Sequence, residues 1–143
     1  MLLYPLVACP FFFPVSIMVS DAFVIPPRLP LGEFFVGECR AQAEAYAPSA
    51  EVTRSMCSIG YGRGSCDRFP SESPVDAVRF HITEPQPELL RIQFVLEKSC
   101  WPASDGVLEY SRADRRFLTS HSDAIVQRQA EAFVGSFERR VSS

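Results

Sequence analysis

Five cysteines give this 143-residue chain most of its potential chemistry. Thiols form disulfides in oxidising compartments, bind metal ions when Cys or His ligands are closely spaced, and attack substrates when a base activates them. The sequence has no Cys-x-x-Cys pair and no grouping of Cys and His with zinc spacing. Four cysteines lie beyond residue 22, and an even number in a short chain predicts two disulfides. The four are Cys39, Cys57, Cys66 and Cys100.

Four cysteines allow three disulfide connectivities, and we favour Cys39 with Cys57 and Cys66 with Cys100. The first bridge would join two neighbouring helical stretches, and the second would tie a glycine-rich loop to the sheet. Each bridge would stabilise the fold by about 2 to 4 kcal/mol. In a reducing compartment, the same residues would instead be small buried hydrophobic side chains.

The sequence contains no recognisable catalytic pattern. Its two histidines are His81, in the middle of a predicted strand, and His121, at the start of a predicted helix. No Gly-x-Ser-x-Gly motif occurs, and no spacing of carboxylates points to acid–base catalysis. We therefore expect a non-enzymatic protein with no cofactor and no bound metal. A small hydrolase that uses unidentified carboxylates is the alternative from the enzyme class.

The best candidates for recognition are Tyr61, Arg63 and Trp101, because tyrosine, arginine and tryptophan dominate binding hot spots. Tyr61 and Arg63 belong to the loop sequence CSIGYGRGSC, whose three glycines open conformations that other residues avoid. The sequence after this loop does not start a convincing helix, so a phosphate-binding loop is disfavoured. The predicted bridge from the loop to the sheet would bring all three side chains to one end of the molecule.

Residues 1–22 predict a cleaved signal peptide. The first 27 residues carry a single charge, Asp21, and the small residues around it suit cleavage after Ala22. The segment lacks the positively charged N-terminal region of a typical signal peptide. Its three prolines would interrupt a membrane-spanning helix. An uncleaved membrane anchor, a lipoprotein modified at Cys9 and a segment buried in the fold are the alternatives.

The remaining sequence predicts an extended proline-rich lead-in over residues 23–32 and a single α+β domain over residues 33–143. Residues 33–47 have helical spacing, and a second short helix is predicted over residues 49–57. The predicted fold class is an antiparallel β-meander of three to four strands, packed by an N-terminal helix or helix pair and a C-terminal helix and stapled by disulfides.

Alternation with a period of two places the meander beyond Pro74. A final helix follows Ser120 and carries an apolar stripe that includes Phe133. The polar face of the sheet is a second candidate binding surface, around Arg79, His81 and Arg91. The four strands are expected over residues 78–82, 90–96, 107–111 and 116–119.

Charge and size restrict the possible partners. Acidic residues outnumber basic ones by 17 to 14, the net charge is −3, and no basic block stands out, so we expect no nucleic-acid partner. We expect a small exported domain, secreted or located in the periplasm or cell envelope, that binds an unidentified protein or envelope partner. The alternative is a membrane-anchored accessory subunit or lipoprotein, in which only residues 1–22 would contact the membrane.

Overall fold

The computed structural model describes residues 7–17, 29–53, 57, 66–70, 72–99 and 101–142. Within these residues, six strands form two antiparallel sheets, and one long helix lies at the C-terminal end. The elements in chain order are β1 (Phe12–Ile17), β2 (Phe35–Cys39), the single turn α1 (Ala50–Val52), β3 (Ala77–Ile82), β4 (Leu89–Lys98), β5 (Trp101–Ser111), β6 (Arg116–Phe117) and α2 (Ala124–Ser142).

The larger sheet is a meander of β3, β4, β5 and β6, in which each strand pairs with the next one along the chain. Side chains alternate between its two faces, as a sheet with one buried face requires. In β4, Leu90 and Ile92 are fully buried, while Arg91 between them is exposed. The face that carries Leu90 and Ile92 is therefore the one that α2 covers.

The helix α2 packs on the apolar face of this sheet. It begins after Asp123, whose Oδ1 accepts hydrogen bonds from the N–H groups of Ile125 at 2.8 Å and Val126 at 3.3 Å. Such a cap gives partners to N–H groups that the first helical turn leaves without one. Ala130 and Val134 are buried one turn apart and share a core with side chains of β4 and β5.

Residues 7–17 form part of the fold. β1 pairs with β2, and Gly37 of β2 lies so close that a Cβ atom there would be 2.0 Å from the carbonyl oxygen of Phe13. Just before β1, Ala8 exchanges two backbone hydrogen bonds with Val78 of β3, at 2.8 and 2.9 Å. A second core surrounds this segment. Its buried members are Ala8, Cys9, Phe12, Leu31, Phe35 and Cys57.

Two neighbouring side chains of α2 hold the N-terminal segment. Gln129 is fully buried, and its Nε2 donates to the carbonyl oxygens of Cys9 and Phe12, both at 2.8 Å. Arg128 donates from Nε to the carbonyl oxygen of Pro14, also at 2.8 Å. Because buried carbonyl groups need a donor, these contacts give the segment the partners that strand pairing does not supply.

The predicted fold class is wrong, because the described residues contain neither an N-terminal helix nor a disulfide. Residues 33–47 contain β2 and a loop, and the described part of residues 49–57 contains only the short turn α1. Phe35 and Cys39 are four residues apart, a spacing that places side chains on one side of either a helix or a strand. Both residues are buried and pair with residues of β1, so this segment is a strand.

The predicted disulfides are also wrong. Cys39, Cys57 and Cys66 are free thiols, so neither Cys39 with Cys57 nor Cys66 with Cys100 is bridged, and Cys100 itself lies outside the described residues. Cys9 is a fourth free thiol and is buried. The prediction of two bridges counted only the four cysteines beyond residue 22. Cys9 was not counted, because it lies in the segment interpreted as a cleaved signal peptide.

The structure gives no support to a signal peptide or to secretion. Residues 7–17 contribute a strand and several buried side chains, and cleavage after Ala22 would remove both. The expected cleavage site lies outside the described residues. In the part of the chain that the structure describes, no helix is long and apolar enough to cross a membrane.

Replacing Gln129 by Ala should lower the free energy of unfolding by about 3 kcal/mol, because the carbonyl oxygen of Phe12 loses its side-chain donor, that of Cys9 keeps only the Phe12 N–H, and a fully buried side chain is truncated. Urea unfolding followed by circular dichroism measures the change. Gln42 is exposed and offers a matched control, since Gln42→Ala should stay within about 0.5 kcal/mol of the parent. Equal effects of the two substitutions would mean that Gln129 does not hold the N-terminal segment.

Candidate functional site

Of the three predicted binding residues, Trp101 alone lies in the described part of the chain, and Tyr61 and Arg63 lie outside it. Trp101 is the first residue of β5, and 75% of its surface is exposed. A tryptophan side chain buries a large area when it finds a partner, so this exposure marks a place where binding would be favourable. The predicted grouping of the three side chains therefore stays a prediction.

The hairpin that ends at Trp101 has a well-anchored backbone. Lys98 pairs with Trp101, and Ser99 has the positive φ of 52° that tight hairpins favour. The Ser99 N–H donates to Oδ2 of the buried Asp76 at 2.7 Å. Nearby, Arg79 Nε donates to Oε2 of the buried Glu97, also at 2.7 Å. Ser99 and the pairing of Trp101 with Lys98 thus hold the backbone on both sides of the turn, which lowers the cost of binding.

The strand β5 is much longer than its outer neighbour. β5 has 11 residues and β6 has two, and β6 pairs only with Tyr110 and Ser111. Glu109, the residue before Tyr110, also directs its backbone N–H and C=O groups toward β6 and the residues that follow it. Its N–H donates to Thr119 Oγ1 at 2.8 Å, and its carbonyl oxygen accepts from the Leu118 N–H at 2.7 Å. Among the described residues, pairing on this side of β5 therefore stops at Glu109.

The rest of this side, which we call the open edge of β5, runs from Trp101 to Val107. Alternate strand residues direct their N–H and C=O groups to the same edge, so Val107 and Asp105 direct theirs to the edge that Glu109 uses. No described residue forms a backbone hydrogen bond with them there. Val107 is 54% exposed, and Asp105 is exposed as well. Such an edge is a template for another strand.

A cavity of about 390 Å³ lies at the opposite side of the sheet, where β3 meets α2 and the turn at residues 29–32. Arg79 and His81, two of the three residues predicted on the polar sheet face, line this cavity. Arg91 does not, and it forms an ion pair with Glu109 at 3.5 Å instead. The contribution of α2 was missed, because its aromatic side chains belong to an apolar stripe that indicates core packing.

Four free thiols lie near one another around β1. Burial raises the pKa of Cys9 from 9.0 to about 12, and the nearby Cys39 and Cys66 add to the increase. Burial likewise raises the pKa of Cys57 from 9.0 to about 12, with contributions from the other three thiols. Because only the thiolate attacks electrophiles or binds metals, Cys9 and Cys57 are unreactive at neutral pH. No group of three or more His, Cys, Asp or Glu side chains in the described residues is arranged to hold a metal ion.

Comparison with protein-family models, with curated proteins and with solved structures finds no match to this chain. These comparisons therefore supply no function by analogy, and function has to be argued from specific sites. The open edge of β5 offers such an argument.

The buried thiols make stability depend on pH in the alkaline range. Below pH 9.0, Cys9 and Cys57 are protonated in both the folded and the unfolded chain, and their contribution is fully present. Between 9.0 and about 12, the unfolded chain loses these protons and the folded chain keeps them, so the free energy of unfolding falls. Urea midpoints measured across this range should decrease with pH.

The double variant Cys9→Ala and Cys57→Ala separates this effect from other alkaline titrations. It should lower stability at neutral pH through lost packing, yet show a flatter decline above pH 9.0. Parallel declines in the parent and in the variant would contradict the assignment.

Proposed function

We propose that this protein is a non-enzymatic binding module that captures an extended segment of another protein at the open edge of β5. The observation that supports the proposal most strongly is that the backbone of Asp105 and Val107, beside the exposed Trp101, pairs with no described residue on the β6 side. Strand addition supplies affinity through main-chain hydrogen bonds, and side chains next to the edge supply specificity.

Trp101 is the anchor of the proposed interface. Its side chain lies at the start of the open edge, and Trp is enriched among residues that lose more than 2 kcal/mol of binding energy on truncation. The bond between Ser99 and Asp76 fixes the turn before it. Capture therefore requires little ordering of the hairpin, which leaves more of the contact energy for affinity.

The charges beside the open edge favour a basic partner segment. Asp105 forms no ion pair with a described residue, and Glu109 shares its charge with Arg91. An antiparallel second copy centred on Asp105, Gly106 or Val107 would place two carboxylates opposite or diagonal to each other, which is unfavourable. A different protein with Lys or Arg at alternate positions would neutralise Asp105 instead, and the net charge of −3 favours its approach.

The predicted location, the envelope partner and the alternative hydrolase function are not tested by the structure. A location outside the cell or in its envelope stays a prediction, and so does an envelope partner. A hydrolase using carboxylates stays a hypothesis to which the described residues add no catalytic group.

Selection from a display library of random dodecapeptides on the folded protein tests this proposal. Selected peptides should carry Lys or Arg at alternate positions. Trp101→Ala should weaken their binding at least tenfold, equivalent to about 1.4 kcal/mol, measured by fluorescence anisotropy. Absence of any selected peptide, or equal binding to Trp101→Ala, would contradict the proposal.

Val107 permits a test of the backbone itself. Val107→Pro removes an N–H group that points away from β4, so it should weaken peptide binding at least tenfold while the sheet stays intact. Val107→Thr keeps the N–H group and the branched shape, and it should bind as the parent does. A dimer in sedimentation experiments that Val107→Pro abolishes would mean that the edge pairs with its own copy rather than with a basic segment.

A further inference from the structure

Two exposed apolar side chains lie where the open edge of β5 meets β6. Val107 is the last residue of the open edge, and Leu118 directly follows β6, with 51% of its surface exposed. Exposed apolar side chains are ordinary when they are scattered singly. Beside a strand backbone that lacks a partner, they form a surface that an added strand can bury.

Leu118 and Val107 are diagonal neighbours on one face of the sheet. Leu118 lies opposite Glu109, because its N–H donates to the Glu109 carbonyl oxygen at 2.7 Å. The preceding pair, Tyr110 with Phe117, packs against the core that α2 covers. Alternation therefore places Leu118 and Glu109 on the other face, which we call the outer face. Val107 is two residues from Glu109 along β5, so it shares the outer face with Leu118.

After Leu118 the chain turns toward the face that α2 covers. There the ring of His121 packs edge-on against that of Phe94, at a centroid distance of 4.7 Å, and Phe94 belongs to the core under α2. No described residue pairs with Val107 from the β6 side. A strand added to the open edge would thus continue the line of β6, and its residue opposite Val107 would point to the outer face beside Leu118.

A single carboxylate follows this apolar pair along the outer face. Asp105 is the next residue of β5 on that face and is exposed, and it forms no ion pair with a described residue. In order along the edge, an added strand therefore meets Leu118 and Val107 first and Asp105 second. Apolar side chains favour apolar neighbours across a strand pair, and a carboxylate favours a cation.

We propose that the open edge selects an antiparallel segment in which a β-branched or aromatic residue comes two positions before a lysine or arginine. The apolar residue would pack on Val107 and Leu118, and the cation would lie opposite Asp105. This inference rests on the proposed capture of a segment at the open edge, and it adds the order of residues in the partner. The basic residues of the partner thus follow an apolar one.

The direction and the register of the added strand follow from its neighbours. Every described pairing in the larger sheet is antiparallel, and antiparallel pairs are slightly more stable per residue than parallel ones. In an antiparallel pair, the residue opposite Val107 precedes the residue opposite Asp105 by two positions. A strand that slid further along β5 would collide with Leu118, which already occupies the position opposite Glu109.

Three octapeptides with blocked ends test the order of residues. The first is Thr-Ile-Thr-Lys followed by four threonines, the second exchanges its isoleucine and lysine, and the third has serine in place of isoleucine. Titrations followed by amide chemical shifts should give the first peptide at least tenfold higher affinity than the second and at least fivefold higher than the third. The largest shifts should occur at Val107 and Leu118. Equal affinities for the first two peptides, or shifts confined to another surface, would overturn the proposal.

Leu118→Ser tests the apolar contact from the side of the protein. It should weaken binding of the isoleucine peptide at least fivefold and leave binding of the serine peptide unchanged, because only the isoleucine touches Leu118. The N–H that binds Glu109 is kept, so the sheet stays intact. Val141→Ser is the matched control, since Val141 is 52% exposed in the last turn of α2, and it should bind as the parent does. Equal losses for both peptides in Leu118→Ser would contradict the contact.

Trp101→Ala separates this inference from the proposed function. If the isoleucine and serine peptides bind equally and both lose affinity in Trp101→Ala, capture at the open edge stands and the apolar contact is overturned. If no octapeptide binds while the display library still yields ligands, the proposed order of residues is overturned alone. If the library also yields none, both proposals are overturned.

Discussion

The fold depends on one buried amide group. Nε2 of Gln129 donates to the carbonyl oxygens of Cys9 and Phe12, and its Oε1 is buried without a described partner. This arrangement fixes the orientation of the amide, because a reversed amide would place its oxygen against two carbonyl oxygens. Gln129 thus supplies a donor to the Phe12 carbonyl and a second donor to the Cys9 carbonyl, which also accepts from the Phe12 N–H, and α2 becomes the element to which the N-terminal segment is attached.

The attachment of residues 7–17 determines the shape of the surfaces around it. Ala8 pairs with Val78 on the side of β3 that faces away from β4. The cavity between β3 and α2 is lined by the next residues of the same strand, Arg79, Phe80 and His81. The segment that a signal-peptide interpretation removes is therefore the segment that borders β3. A chain without it would lose β1 and half of the core around Phe12 together.

The sequence predicts those parts of the fold that depend on local periodicity. Strands β3 and β4 and helix α2 lie where alternation and the apolar stripe placed them, because their patterns are read over neighbouring residues. The N-terminal segment was misread because an apolar run is equally typical of a signal peptide and of a buried strand. The contacts that distinguish the two come from Gln129 and Arg128, more than 100 residues away.

The candidate site was predictable only in part. Trp101 was identified by residue type, but its position on an open edge results from the mismatch between 11 residues in β5 and two in β6. Strand lengths of this kind are set by the turn after Ser111 and not by any property of Trp101. The prediction of disulfides was wrong for a related reason. Once Cys9 belongs to the fold, the buried cysteines act as small apolar side chains, the alternative expected in a reducing environment.

An open strand edge is a risk for aggregation, and β5 carries two features that limit it. Pro102 has no N–H group to offer to an incoming strand, and Asp105 repels a second copy of the same edge. Neither feature blocks a basic segment, because a lysine or arginine opposite Asp105 turns the repulsion into attraction. The residues that protect the edge against self-association are thus the residues that select the proposed partner. In the proposed interface, protection and recognition use the same charge, and this is the reason for proposing a different, basic chain as the partner.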